Sequence, residues 1–179
     1  MNEYDAIRDY LISEDRNSLK ERVQRTEYWE TEFGNWRSML LYGPIPSIEL
    51  TYQEINYCFI HGQFISCILT SISFLEQNFA SFLRIANIEI DEQMGFCQII
   101  KKAFDGGFID KEDYLALLKL NDQRNSLSHY RSRGDKRHPE RQETFKDKPF
   151  KEIVEEDAKS AIGIVLSILN KSPFRVSSG

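Results

Sequence analysis

The side chains best suited to chemistry gather in one stretch, LNDQRNSLSHYRSRGDKRH, running from Leu120 to His138. Arg124, Asn125 and His129 fall within the six residues RNSLSH. A histidine, with an ordinary pKa of about 6.5, can take or give a proton near neutral pH. A guanidinium presents a planar fork of donors that matches phosphate oxygens. Placed side by side, the two are equipped for proton transfer at an anionic, phosphate-like group. A single histidine is equally at home on a surface, and an asparagine equally serves as a cap or a dimer contact.

The surrounding pattern predicts a helix, capped by Asp110 and continuing to about Arg133. At about 100° per residue, Tyr114, Leu117, Leu118, Leu120 and Leu127 define an apolar arc whose middle falls near Arg124. Asn125 and His129, four apart, are expected to share one side of it. A guanidinium aimed inward costs several kcal/mol, of order ~5, unless a counter-charge or bound anion meets it. Glu76 stands in the same predicament between Ile72, Phe79 and Leu83 of an earlier apolar segment. The two are therefore expected to pair across a helix interface, leaving part of the guanidinium fork for phosphate oxygens. From periodicity alone, such a pair serves equally as a device that fixes helix register or an oligomer contact.

Beyond the motif the chain turns basic. From Arg124 to Arg141 there are six arginines or lysines against two acids, in a chain whose net charge is −5. Arg131, Arg133, Lys136, Arg137 and Arg141 are candidate RNA-binding residues, with Tyr130 as a stacking ring. A run of charge is also what a solvated face looks like. His138 lies in the same polar loop, whereas His61 is expected to be structural.

The elements that must position these groups are helical almost throughout. Short helices are expected at Glu3 to about Ile12 and at about Ser18 to Arg37, the second carrying Tyr28, Trp29, Phe33 and Trp36. LLYGPIPSIEL interrupts them. A long core helix, interrupted or curved near Gly62, should run from Tyr52 to about Ala86. Another is expected from Asp91 to about Phe104, ending at DGG. A last one opens at Glu155–Asp157 and carries AIGIVLSIL. At 179 residues, one domain is the default. The acidic balance argues against a general nucleic-acid coat protein.

Cys58, Cys67 and Cys97 match neither a zinc cluster nor a disulfide framework and are expected to be buried thiols. No HExxH or glycine-rich phosphate loop occurs, so neither a metal nor a cofactor is expected. No signal peptide or membrane span is evident, and the expected address is cytoplasmic.

The string RNSLSH resembles the arginine, four residues, histidine signature of the HEPN superfamily, in which asparagine commonly follows the arginine. The likeness extends to its setting: an earlier helix with an inward acid, the lead-in DGGFIDKEDYLALLKLNDQRN, and a closing apolar helix, from Tyr52 to Asn170 in all. The resemblance implies an all-α, up-and-down four-helix bundle at residues 46–172, with additional N-terminal helices at 1–45 and a flexible tail at 173–179. It implies a metal-independent endoribonuclease of toxin or phage-defence type, working as a homodimer whose motif helices face each other. Arg124 and His129 would be the catalytic pair, Asn125 would order the site, and Glu76 would be the supporting acid. The ribose 2′-hydroxyl would attack the adjacent phosphate. RNA and a second copy are the implied partners, with an antitoxin or defence-complex protein as a further candidate. Some members are not nucleases, so a non-catalytic module binding RNA, a nucleotide or a protein is the alternative, and a purely structural dimerisation domain is a third reading.

Overall fold

Turn chemistry decides where the helices of this protein stop. The computed structural model describes residues 3–33, 41–42, 45–129, 132, 134–171 and 173. Among these it has seven helices and no strand: α1 Glu3–Phe33, α2 Ile45–Ile60, α3 Phe64–Ile85, α4 Phe96–Asp105, α5 Lys111–Ser128, α6 Pro139–Lys146 and α7 Phe150–Leu169. Trp36 and the last six residues lie outside the described residues.

Three helices end in the same way. Gly62, Asn87 and Gly107 take φ values of 73°, 58° and 71°, and the next residue's N–H turns back into the helix. Gln63 donates to the Cys58 carbonyl at 2.8 Å, Ile88 to Leu83 at 2.9 Å and Phe108 to Ala103 at 2.9 Å. This doubled-back ending satisfies carbonyls that would otherwise be orphaned. The long apolar segment is thus two helices, α2 and α3, with Gly62 at the corner.

Other boundaries differ from expectation for equally local reasons. The two short N-terminal helices are one, α1, because residues 13–17 contain neither glycine nor proline and Arg22 ties back to Asp15 at 2.5 Å. α4 begins at Phe96, since Asp91 accepts from the Gln93 N–H at 2.9 Å in a turn of its own. α7 starts at Phe150, directly after Pro149, rather than at Glu155. The polar loop holds an extra helix, α6, with Pro139 in its first turn, where a missing N–H costs nothing.

α3 is the central helix, packed against α2, α4, α5 and α7. Its Phe74, Leu75, Phe79 and Leu83 are fully buried with Phe59 of α2. Burying a side chain of this size stabilises by about 1.5–3 kcal/mol. Cys58 and Cys67 are buried, and burial pushes the Cys67 thiol up to about 12. Cys97 is exposed. It lies on the outer side of α4, whose inward positions are Phe96, Ile99, Ile100 and Ala103.

α1 docks through its second half. Trp29 is buried against Tyr52 and Phe59. Arg25, also buried, donates to Glu21 Oε2 at 2.6 Å and to the Ile60 carbonyl at 3.2 Å, and lies over the Phe64 ring at 5.0 Å. One guanidinium thereby joins α1 to the end of α2 and the start of α3. A Cβ on Gly62 would stand 3.2 Å from Arg25 Nη1, at a backbone angle that L residues avoid. Gly62→Ala should therefore cost about 1–2 kcal/mol. In urea unfolding its midpoint should fall, and combining it with Arg25→Ala should cost less than the sum of the two.

Candidate functional site

The place where α5 ends governs the geometry of every motif residue. Its start is firm: the Asp110 carboxylate accepts from the Asp113 N–H at 2.8 Å. The buried Asp113 in turn receives Lys171 at 2.7 Å, tying α5 to the residues just after α7. Farther along, Gln123 Nε2 donates to Asp157 of α7 at 2.9 Å.

The helix then stops at Ser128, five residues before the expected end near Arg133. In the last turn, Ser126 Oγ donates to the Gln123 carbonyl at 2.6 Å, a local bond that competes with the backbone ladder. His129 is the C-cap, with an extended backbone at φ −120° and ψ 142°, and is exposed. The backbone therefore leaves the helical path at His129, which closes the end of α5.

Arg124 is half-buried, not sealed in the core. With Glu76, Arg84, Asp91, Glu92 and Ser128 it lines an open pocket of about 510 Å³ between α3, α5 and the turn before α4. Burial pushes the Glu76 carboxyl above the usual range, and the positive charge of Arg124 pulls it partly back. The two groups sense each other across the pocket without closing to an ion pair. Arg124 Nη1 donates instead to Asn125 Oδ1 at 3.1 Å. The expected direct Glu76–Arg124 pair is thus corrected to a facing pair with space between. The reason is the helix crossing, which leaves a pocket where the two apolar arcs were expected to touch.

Among the described residues of the basic run, Lys136, Arg137 and Arg141 line a different cleft from Arg124. At about 100° per residue, Lys119, Gln123 and Ser126 fall on the side of α5 opposite Arg124 and Ser128. That side opens into a second cleft of about 750 Å³, bordered by Lys136, Arg137 and Arg141. Arg137 is committed to Asp122 at 2.9 Å and Asp135 at 3.3 Å. Arg141 donates to the Gly134 carbonyl at 2.7 Å. Tyr130, Arg131 and Arg133 lie outside the described residues.

Lys119, Lys146 and Phe145 are among the cleft residues not expected from the sequence. The last is 91% exposed. Its signal was present as a lone aromatic in a polar run, ETFKDK. His61 is exposed and stacks on Tyr57 at 4.1 Å. His138 precedes α6, with its Nδ1 buried and unpartnered.

Among the described residues, no three His, Cys, Asp or Glu side chains gather where they could hold a metal ion. Nor, among them, is any helix long and apolar enough to cross a membrane. No family model matches the chain, and neither a curated protein nor a solved structure matches it.

Glu76 makes a pH dependence of definite sign. A carboxyl whose folded-state pKa is raised binds its proton more tightly when folded, so its contribution to stability is full below the ordinary value of 4.5 and is lost as pH rises through the raised value. Arg124→Ala removes the opposing positive charge and should raise the Glu76 pKa further. Carbon-detected NMR titration of the Glu76 side chain in both proteins checks this. Glu76→Gln should flatten that part of the stability profile.

Proposed function

We propose that this chain is a metal-independent endoribonuclease of HEPN type that acts as a homodimer, with Arg124 and His129 as its catalytic pair. One observation carries the reading. A half-buried arginine and a desolvated carboxyl face the same solvent-open pocket, Ser128 belongs to its lining, and the motif histidine is the exposed residue that follows Ser128 in the sequence.

The reaction that suits these groups is transesterification within RNA. His129 accepts the 2′-hydroxyl proton as that oxygen attacks the adjacent phosphorus. Arg124 stabilises the charge gathering on the phosphorane oxygens. The bond to the 5′-oxygen breaks, and that oxygen takes a proton from the second copy's His129. The products are a cyclic 2′,3′-phosphate and a 5′-hydroxyl. Asn125 holds the guanidinium by accepting from Nη1, and Glu76 sets its charge environment from across the pocket. The acids of the pocket, Glu76, Asp91 and Glu92, outnumber its arginines, Arg84 and Arg124. A toxin or phage-defence setting, with an antitoxin or defence-complex protein as partner, accompanies this reading.

That acidic excess weighs against holding a phosphodiester at Arg124, and it is the observation that keeps the second reading, a helical module that binds RNA, a nucleotide or a protein without cutting. Purified protein in excess chelator decides between them. Cleavage should persist without metal, fall about 10²–10⁴-fold in His129→Ala and about 10²–10³-fold in Arg124→Ala. Both variants should keep the helical circular-dichroism spectrum. RNA bound but left whole by the unmutated protein would favour the module, and full activity in His129→Ala would remove the histidine from the mechanism.

A further inference from the structure

We propose that the cleft between α5, α6 and α7, on the face of α5 opposite Arg124, is a binding groove for single-stranded RNA, with Phe145 as its stacking platform. Charge is the first observation. Five cationic residues border it against two acids, in a chain that is acidic as a whole. Both acids are occupied within the protein. Asp122 is paired with Arg137 at 2.9 Å. Asp157 accepts from Gln123 at 2.9 Å, and burial pushes its carboxyl up. Arg137 is consumed by its two aspartates, so Lys119, Lys136, Arg141 and Lys146 are the cations left to meet a polyanion.

The second observation is Phe145. A phenylalanine that is 91% exposed on a helix of eight residues buries almost nothing in this fold. Its ring stands at the border of a cleft of about 750 Å³, well within the range of about 300–1,000 Å³ typical of ligand sites. An aromatic face beside spaced cations is the arrangement that binds unpaired nucleic acid, since every base offers a π face while the backbone follows the positive charges. Duplexes offer no free base to the ring. The choice of RNA over other single-stranded polyanions rests on the function proposed above, whereas the groove itself does not depend on cleavage.

The test is fluorescence anisotropy of the full chain with a labelled, unstructured 12-nucleotide RNA, run on the His129→Ala protein so that the RNA stays intact. Phe145→Ala should weaken binding about ten-fold, and Phe145→Trp should retain or strengthen it. With four phosphates neutralised, log K should fall with log salt at a slope of about −3. Lys119→Ala and Lys146→Ala should each flatten the slope by about 0.7. Phe145 and the three lysines are at the surface, and circular dichroism verifies that the variants are folded. Unchanged affinity in Phe145→Ala and in the lysine variants would overturn the proposal even if RNA bound elsewhere. Preference for duplex RNA, or for DNA of the same sequence, would overturn it as well. Because binding is read on a protein that does not cut, the assay tests the groove alone; RNA held tightly but left whole by the unmutated protein would retire the nuclease and keep the groove.

Discussion

A carboxylate on the apolar side of the central helix is the constraint that orders this site. α3 is surrounded by α2, α4, α5 and α7, and Glu76 is half-buried at an open pocket, where burial lifts its carboxyl above the ordinary range. A charge so placed needs an opposite charge nearby or must hold its proton. Arg124 supplies the charge, but across a gap. The register of α5 is therefore not free. Asp110, Asp113 and Gln123 tie it at three heights, one to its own first turn and two to α7 and the residues just after it.

The rest of the fold supplies the frame for that meeting. Endings at Gly62, Asn87 and Gly107 fold the apolar chain back on itself so that α3 can be covered on several sides. Arg25 performs a similar service for α1. Its guanidinium fills the corner that Gly62 leaves empty and caps a carbonyl at the end of α2. A polar side chain thus holds the outermost helix on the bundle, with Trp29 supplying the apolar part of the contact.

Helical character, the Asp110 cap, the stop at DGG and the inward tendency of Glu76 were all legible in the sequence, because each depends on local spacing or on one residue's backbone preference. The basic run was legible as composition only. Periodicity could not reveal where α5 lets go. A continued helix would have carried the cations onward beyond His129. The end of α5 at Ser128 has no glycine or proline to announce it and no periodic signature. For the same reason α6 was missed. Its eight residues bury no side chain, so no apolar stripe announces them. Pairing Glu76 with Arg124 failed in detail because two helices can present facing residues without bringing their tips together.

α5 acts as a wall between two compartments. With its side chains a helix is about 10–12 Å across, so a polymer that touches both sides must turn sharply past α5. A stiff rod cannot follow that path, and a limp chain can. On the function proposed above, bendability rather than the identity of any base would be the first property by which a nucleic acid is sorted.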